Sequence, residues 1–175
     1  MKPRVQRAVL AGVVATLVTT TMMVYVSPRI AGSAIDLPAM LGAMLGGSWA
    51  AGLIAHLAIG ILVLPVLYVW AFRWLMGTPL VRGLIAGLVL WLFSQLLIGP
   101  VMGAGPFSAY VGGIPAALDS LLLHLTYGAL LGSITGRPQF SSTAWMHPAE
   151  LEAHWRRARW LHGGGSGATT HWRVR

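Results

Sequence analysis

"WAAGLIAHLAIGILVLPVLYVWAF", Trp49 to Phe72, decides the fold. It contains no Asp, Glu, Lys or Arg. It is longer than the ~20 mainly apolar residues a helix needs to cross a ~30 Å hydrocarbon core. Three further runs meet the same criterion, at about 8–26, 80–100 and 115–134. The whole chain agrees: 56% of its 175 residues are hydrophobic and 9% are charged, against roughly 25% charged in a soluble domain. The fold class that follows is an all-α membrane protein with four transmembrane helices in an up-down-up-down bundle. Pro65 removes a backbone donor inside the second run and is expected to kink its inner half.

The first run follows a basic "MKPRVQR" and precedes "AGSA", which together resemble a signal peptide. Its apolar stretch exceeds the 7–15 residues of a signal h-region, so it reads as a retained helix. Orientation follows from the basic residues. All twelve except Arg29 fall on one side of a four-span topology, which puts both termini in the cytoplasm of a multi-pass membrane protein. Residues 1–6 form a basic N-terminal tail, 7–136 the membrane domain and 137–175 a cytoplasmic tail. With no cysteine in the chain, disulfides and thiolate chemistry are excluded.

Two segments outside the spans have helical character. In "DLPAMLGAMLGG", Asp36 stands in N-cap position and Pro38 in the first turn, giving a short outer surface helix over about 37–46. Its methionines offer thioethers to Cu(I), although methionine more commonly fills gaps between apolar surfaces. In the tail, a helix over about 148–161 sets Trp155 and Trp160 among Arg156, Arg157 and Arg159, the pattern of a helix lying on an anionic membrane face. A basic juxtamembrane helix accounts for the net charge of +8 without a nucleic-acid partner.

The chain also repeats itself. "VQRAVLAGVV" (Val5 to Val14) aligns with "VRGLIAGLV" (Val81 to Val89), and "HLAIG" (His56 to Gly60) with "HLTYG" (His124 to Gly128). A duplicated helical hairpin follows, with Gly12 matching Gly87, His56 matching His124 and Gly60 matching Gly128. The two histidines lie roughly 10 and 14 Å below the outer boundary. That layer also meets Thr19 and Thr20 on the first helix and Ser94 and Gln95 on the third.

A matched pair of intramembrane histidines has two readings. In the functional one, His56 and His124 on diagonal helices, roughly 11–14 Å apart, ligate one haem b iron, and Gly52, Gly60 and Gly128 let the macrocycle approach. In the other, the histidines hydrogen-bond across helices and the glycines pack them. Trp91 and Gln95 are bulky for a porphyrin site, and Arg29 is the one outer cation for its propionates. Asp119, one turn outside His124, has no nucleophile or paired acid beside it, so no catalytic residue is assigned. The expected function is therefore a non-catalytic membrane subunit, accessory to larger integral subunits of an electron-transfer complex. The alternatives are a small carrier or channel using the His–Asp–Thr–Gln layer, and a purely structural protein.

"GLIAHLAIG", "VRGLIAGLVLWLFSQLLIGPVMG" and "LLLHLTYGALLGSITG" resemble a family of small bacterial four-helix membrane proteins classed as a domain of unknown function. The likeness covers about Arg7 to Gly136. It implies the four-helix fold and a bacterial membrane, and it implies no activity.

Overall fold

Among the described residues, four helices are long and apolar enough to span a membrane: Arg4–Tyr25, Trp49–Ala71, Pro79–Val101 and Gly113–Thr135. The computed structural model describes residues 3–32, 36–71 and 74–136, and Glu152 beyond them. The described residues contain helices and turns and no strand. Residues 1–137 form one unit and residues 138–175 a second. The tail helix expected over 148–161, with Trp155, Arg156, Arg157, Arg159 and Trp160, lies outside the described residues. The first helix begins at Pro3, so residues 3–6 continue it rather than forming a separate tail.

The outer surface helix spans Leu37–Met44, and its start is chemically defined. Asp36 Oδ1 accepts the backbone N–H of Ala39 at 2.8 Å and the indole N–H of Trp49 at 3.1 Å. One carboxylate thus caps the surface helix and ties it to the head of the second span. The helix lies close because Gly42 in it and Gly52 in the second span meet there without side chains; a Cβ on Gly52 would strike the carbonyl of Pro38. Asp36→Ala removes the cap and the tether together. It is expected to cost about 1–2 kcal/mol, read as faster amide hydrogen exchange within Leu37–Met44 while the spans stay protected.

The first span packs against the second and the fourth, and the fourth packs along the third. The second and third spans have no such packing. The order in space is therefore second, first, fourth, third. The square expected of a closed bundle is open on one side. Small residues make the closed sides. At the third–fourth interface a Cβ on Gly128 would lie 2.9 Å from Gly87 Cα, and one on Gly132 would lie 2.7 Å from Gly83 Cα. At the first–second interface a Cβ on Gly12 would lie 2.9 Å from the Gly60 carbonyl oxygen. Backbones this near each other exploit dispersion contacts that larger side chains would prevent. The matched pairs, Gly12 with Gly60 and Gly87 with Gly128, meet in both hairpins, as duplication of one hairpin requires.

Candidate functional site

The two spans that flank the open side share an irregularity. Ile59–Val63 in the second span and Ser94–Ile98 in the third are π-helical turns. In the first case the N–H of Leu64 bonds to the carbonyl of Ile59, five residues back, and Pro65 follows with no N–H to give. The carbonyl of Gly60 is thereby released from the helical ladder. The phenol of Tyr127 donates to it at 2.6 Å, across from the fourth span. In the second case the N–H of Gly99 bonds to the carbonyl of Ser94, and Pro100 follows. Neither Gly99 nor Pro100 supplies an N–H to Gln95, so its carbonyl leaves the ladder by the same device. Such turns concentrate at functional sites, and in a membrane irregular backbone is tolerated where it meets protein or lines a cavity.

Tyr127→Phe leaves the Gly60 carbonyl without its donor. A buried acceptor left unsatisfied costs about 1–3 kcal/mol, more than the ~0.6 kcal/mol average for membrane hydrogen bonds. The thermal unfolding midpoint of the purified protein in detergent should fall accordingly. An unchanged midpoint would mean that the carbonyl finds another donor.

A cavity of about 710 Å³ lies between the spans at this level. His56 and His124 both line it, with Thr16, Thr19, Asp36, Ser94, Gln95, Ser108, Ser120 and Tyr127, among apolar side chains. Met40 and Met44 of the surface helix join Met23 and Met102 in the lining, an adaptable thioether surface. Ile59, Val63, Leu67 and Phe93 line the cavity while remaining exposed, which places its mouth between the second and third spans.

Each histidine has a defined setting. On the fourth span, His124 Nδ1 lies 2.7 Å from the carbonyl oxygen of Ser120. A carbonyl only accepts, so Nδ1 carries the proton and Nε2 of the neutral ring keeps its lone pair. The Ser120 hydroxyl accepts from Gln95 Nε2 at 3.1 Å, and Gln95 Oε1 accepts from the Ser108 hydroxyl at 3.2 Å. Phe107 and Ser108 hold φ of 49° and 58°, left-handed backbone that costs a non-glycine residue about 1–3 kcal/mol. That strain brings Ser108 under Gln95 and sets the Phe107 ring 5.9 Å from Trp91. On the other side, His56 Nε2 pairs with the Thr20 hydroxyl at 3.1 Å.

The predicted site residues thus divide. His56, His124, Thr19, Ser94 and Gln95 share the cavity, and Thr20 holds His56 from outside it. The glycines do different work from the expected one. Gly52 and Gly128 are absent from the lining and admit neighbouring backbones instead of a macrocycle; Gly60 does both. Asp119 is 1% exposed, stands inside the helix rather than in its first turn, and makes no hydrogen bond to His124. Trp91 donates its indole N–H to the carbonyl of Ala117 at 3.1 Å and lies outside the lining, so it does not obstruct. Tyr127, Ser108 and Ser120 complete the site, and Tyr127 and Ser108 were missed as its members. The repeated "IGILVLP" and "SQLLIGP", each with a proline six residues after its first residue, carried the signal for the π turns.

Haem b fits this lining only in part. His124 is oriented as an axial ligand should be, with Nδ1–H on a carbonyl. His56 would have to give up Thr20 to ligate through Nε2. Among the described residues the lining has no Lys or Arg to meet two propionates, and Arg29 donates to the carbonyl of Tyr25 instead. Among the described residues no group of three or more His, Asp or Glu side chains is placed to hold a metal ion.

No curated protein and no solved structure matches the chain. Residues 3–145 match the model of a family described as a family of unknown function (DUF6789), which extends the likeness a few residues beyond each end of the four spans. With most of its length matched, and with its four membrane-competent helices, this chain belongs to the DUF6789 family.

Proposed function

We propose that the protein is a non-catalytic subunit of a bacterial inner membrane, with both termini cytoplasmic, that holds a lipid-soluble molecule in the cavity between its second and third spans. One observation carries the reading: two histidines and two π turns converge on a single cavity of about 710 Å³, within the 300–1,000 Å³ range of ligand sites. The chief rival occupant is a fifth helix from a partner. The two histidines, Gln95 and the hydroxyls of the lining favour an occupant with polar atoms of its own over an apolar helix face. A place beside larger electron-transfer subunits belongs to the proposal, and co-purification in mild detergent tests it.

The test is extraction. Protein purified in mild detergent should release a near-stoichiometric apolar compound into organic solvent, and Ser94→Trp, which fills the cavity, should release none. Equal recovery from both proteins would end the proposal. The setting of His124 favours one second reading, haem b. That occupant would make the protein red with a low-spin spectrum, lost in both His56→Ala and His124→Ala. For orientation, a reporter after Arg175 should be cytoplasmic and one inserted at Gly112 external.

A further inference from the structure

Among the described residues, the cavity lining holds one formal charge, the carboxylate of Asp36. Resting on the reading that the cavity holds a lipid-soluble molecule, we infer that its ligand is a lipophilic cation, with its charge beside Asp36 and its apolar body between the spans.

Depth fixes where a ligand's charge can sit. Along the four spans the lining stops at Thr16, Leu67, Leu90 and Tyr127. Past that level Ala11, Ala15, Tyr68 and Leu131 pack into a buried core. At the other end the cavity is bounded by the surface helix, through Leu37, Met40, Leu41 and Met44, and by Asp36, which is exposed. A charge held at that end keeps part of its hydration. One carried toward the core would lose it, at a cost far above that of a neutral polar group.

Sign follows from what stands at the exposed end. Asp36 Oδ1 accepts the N–H of Ala39 and the indole N–H of Trp49. Capping asks only for an acceptor, which Asn or Ser supplies as well. The formal charge and the second oxygen are therefore available to a ligand. An anionic head at this end would meet a like charge, and a neutral one would gain nothing from it. Arg29, the basic residue of the same end, bonds to the Tyr25 carbonyl and is not part of the lining; the buried Asp119 is not part of it either. Deeper in, the neutral histidines, Gln95 and the hydroxyls can take polar atoms of the ligand but select no sign. Met40 and Met44, about one and two turns after Asp36, give the substituents around the cation a surface that adapts to their shape.

The experiment compares tetraphenylphosphonium with tetraphenylborate, ions of nearly one shape and opposite sign. Each is titrated calorimetrically into the full-length protein in neutral detergent at low salt, with protein-free micelles subtracted. At pH 8, well above the ordinary histidine value of about 6.5, the two histidines add no charge. The readout is the ratio of the two Kd values in wild type against the same ratio in Asp36→Asn. Micelle partitioning is common to both proteins and any change of cavity shape is common to both ions, so neither moves the comparison. Wild type should favour the phosphonium by about tenfold more than Asp36→Asn does, the equivalent of roughly 1.4 kcal/mol. Asp36→Ser, which also keeps a cap, should behave like Asp36→Asn, and raising the salt should shrink the wild-type preference. Ser94→Trp should weaken both ions. An unchanged ratio in both Asp36 variants, or phosphonium binding that Ser94→Trp leaves intact, would overturn the inference. Failure of both ions to bind saturably would overturn it too. If extraction then still yields a compound that Ser94→Trp lacks, the proposed function stands without it; equal recovery from both proteins would remove both.

Discussion

Gly128→Leu should separate the third span from the fourth and leave little folded protein. The two helices approach so closely there that even a Cβ on Gly128 would strike the carbonyl of Gly83 and come within 2.9 Å of Gly87 Cα. Both obstacles are backbone, so neither can rotate aside. Overpacking in a closed core costs about 1–3 kcal/mol where side chains can adjust, and here they cannot. The loss should exceed ~3 kcal/mol, seen as aggregation or a collapsed yield on size-exclusion chromatography. Gly128→Ala should give a milder version of the same defect. Leu122→Ala, on an exposed face of the same helix, should stay within about 0.5 kcal/mol of wild type, as surface changes do. A well-folded Gly128→Leu protein would mean that the helices are not as close as described.

Asp119→Ala should have the opposite sign and stabilise the protein. Asp119 is 1% exposed, and neither carboxylate oxygen has a hydrogen-bond partner. An acidic side chain at membrane depth costs up to about 2.5–3.5 kcal/mol on insertion scales. Alanine removes that cost and creates only a small void beside Ala116 and Ala117, which already make this stretch of the helix narrow. The midpoint of thermal unfolding in detergent should rise by several degrees. A fall of similar size would show that the carboxylate is satisfied by a bound proton or cation, and Asp119 would then join the functional groups of the protein.

Composition and length were enough for the four spans, because a bilayer selects for apolar runs of one length whatever their letters. Asp36 was legible as a cap for a similar reason: it acts on its own neighbours, three residues away. The histidine pair and its polar layer were legible as positions along each helix. Their partners were not. Whether His56 turns to Thr20 or to an iron depends on rotation about the helix axis, and one π turn changes that rotation by a large angle. The open side was hidden for a different reason. Glycines at four-residue spacing show that a helix packs closely, and they do not show against which neighbour. Gly83 and Gly87 commit the third span to the fourth, Gly12 commits the first to the second, and nothing remains to hold the second to the third.

The π turns also bear on how such a chain tolerates changes in its length. Each turn accommodates one residue more than an α-helix needs. Removing one residue between Ile59 and Val63, or between Ser94 and Ile98, would restore regular geometry and leave both flanking halves facing as they do now. The same deletion elsewhere in a span would swing everything beyond it by about 100°. These are therefore two places within the membrane where the chain can shorten by one without losing its fold. With Ile61, Leu62 or Val63 removed, the Gly60 carbonyl would stand opposite Pro65, which has no N–H, and Tyr127 would remain its donor.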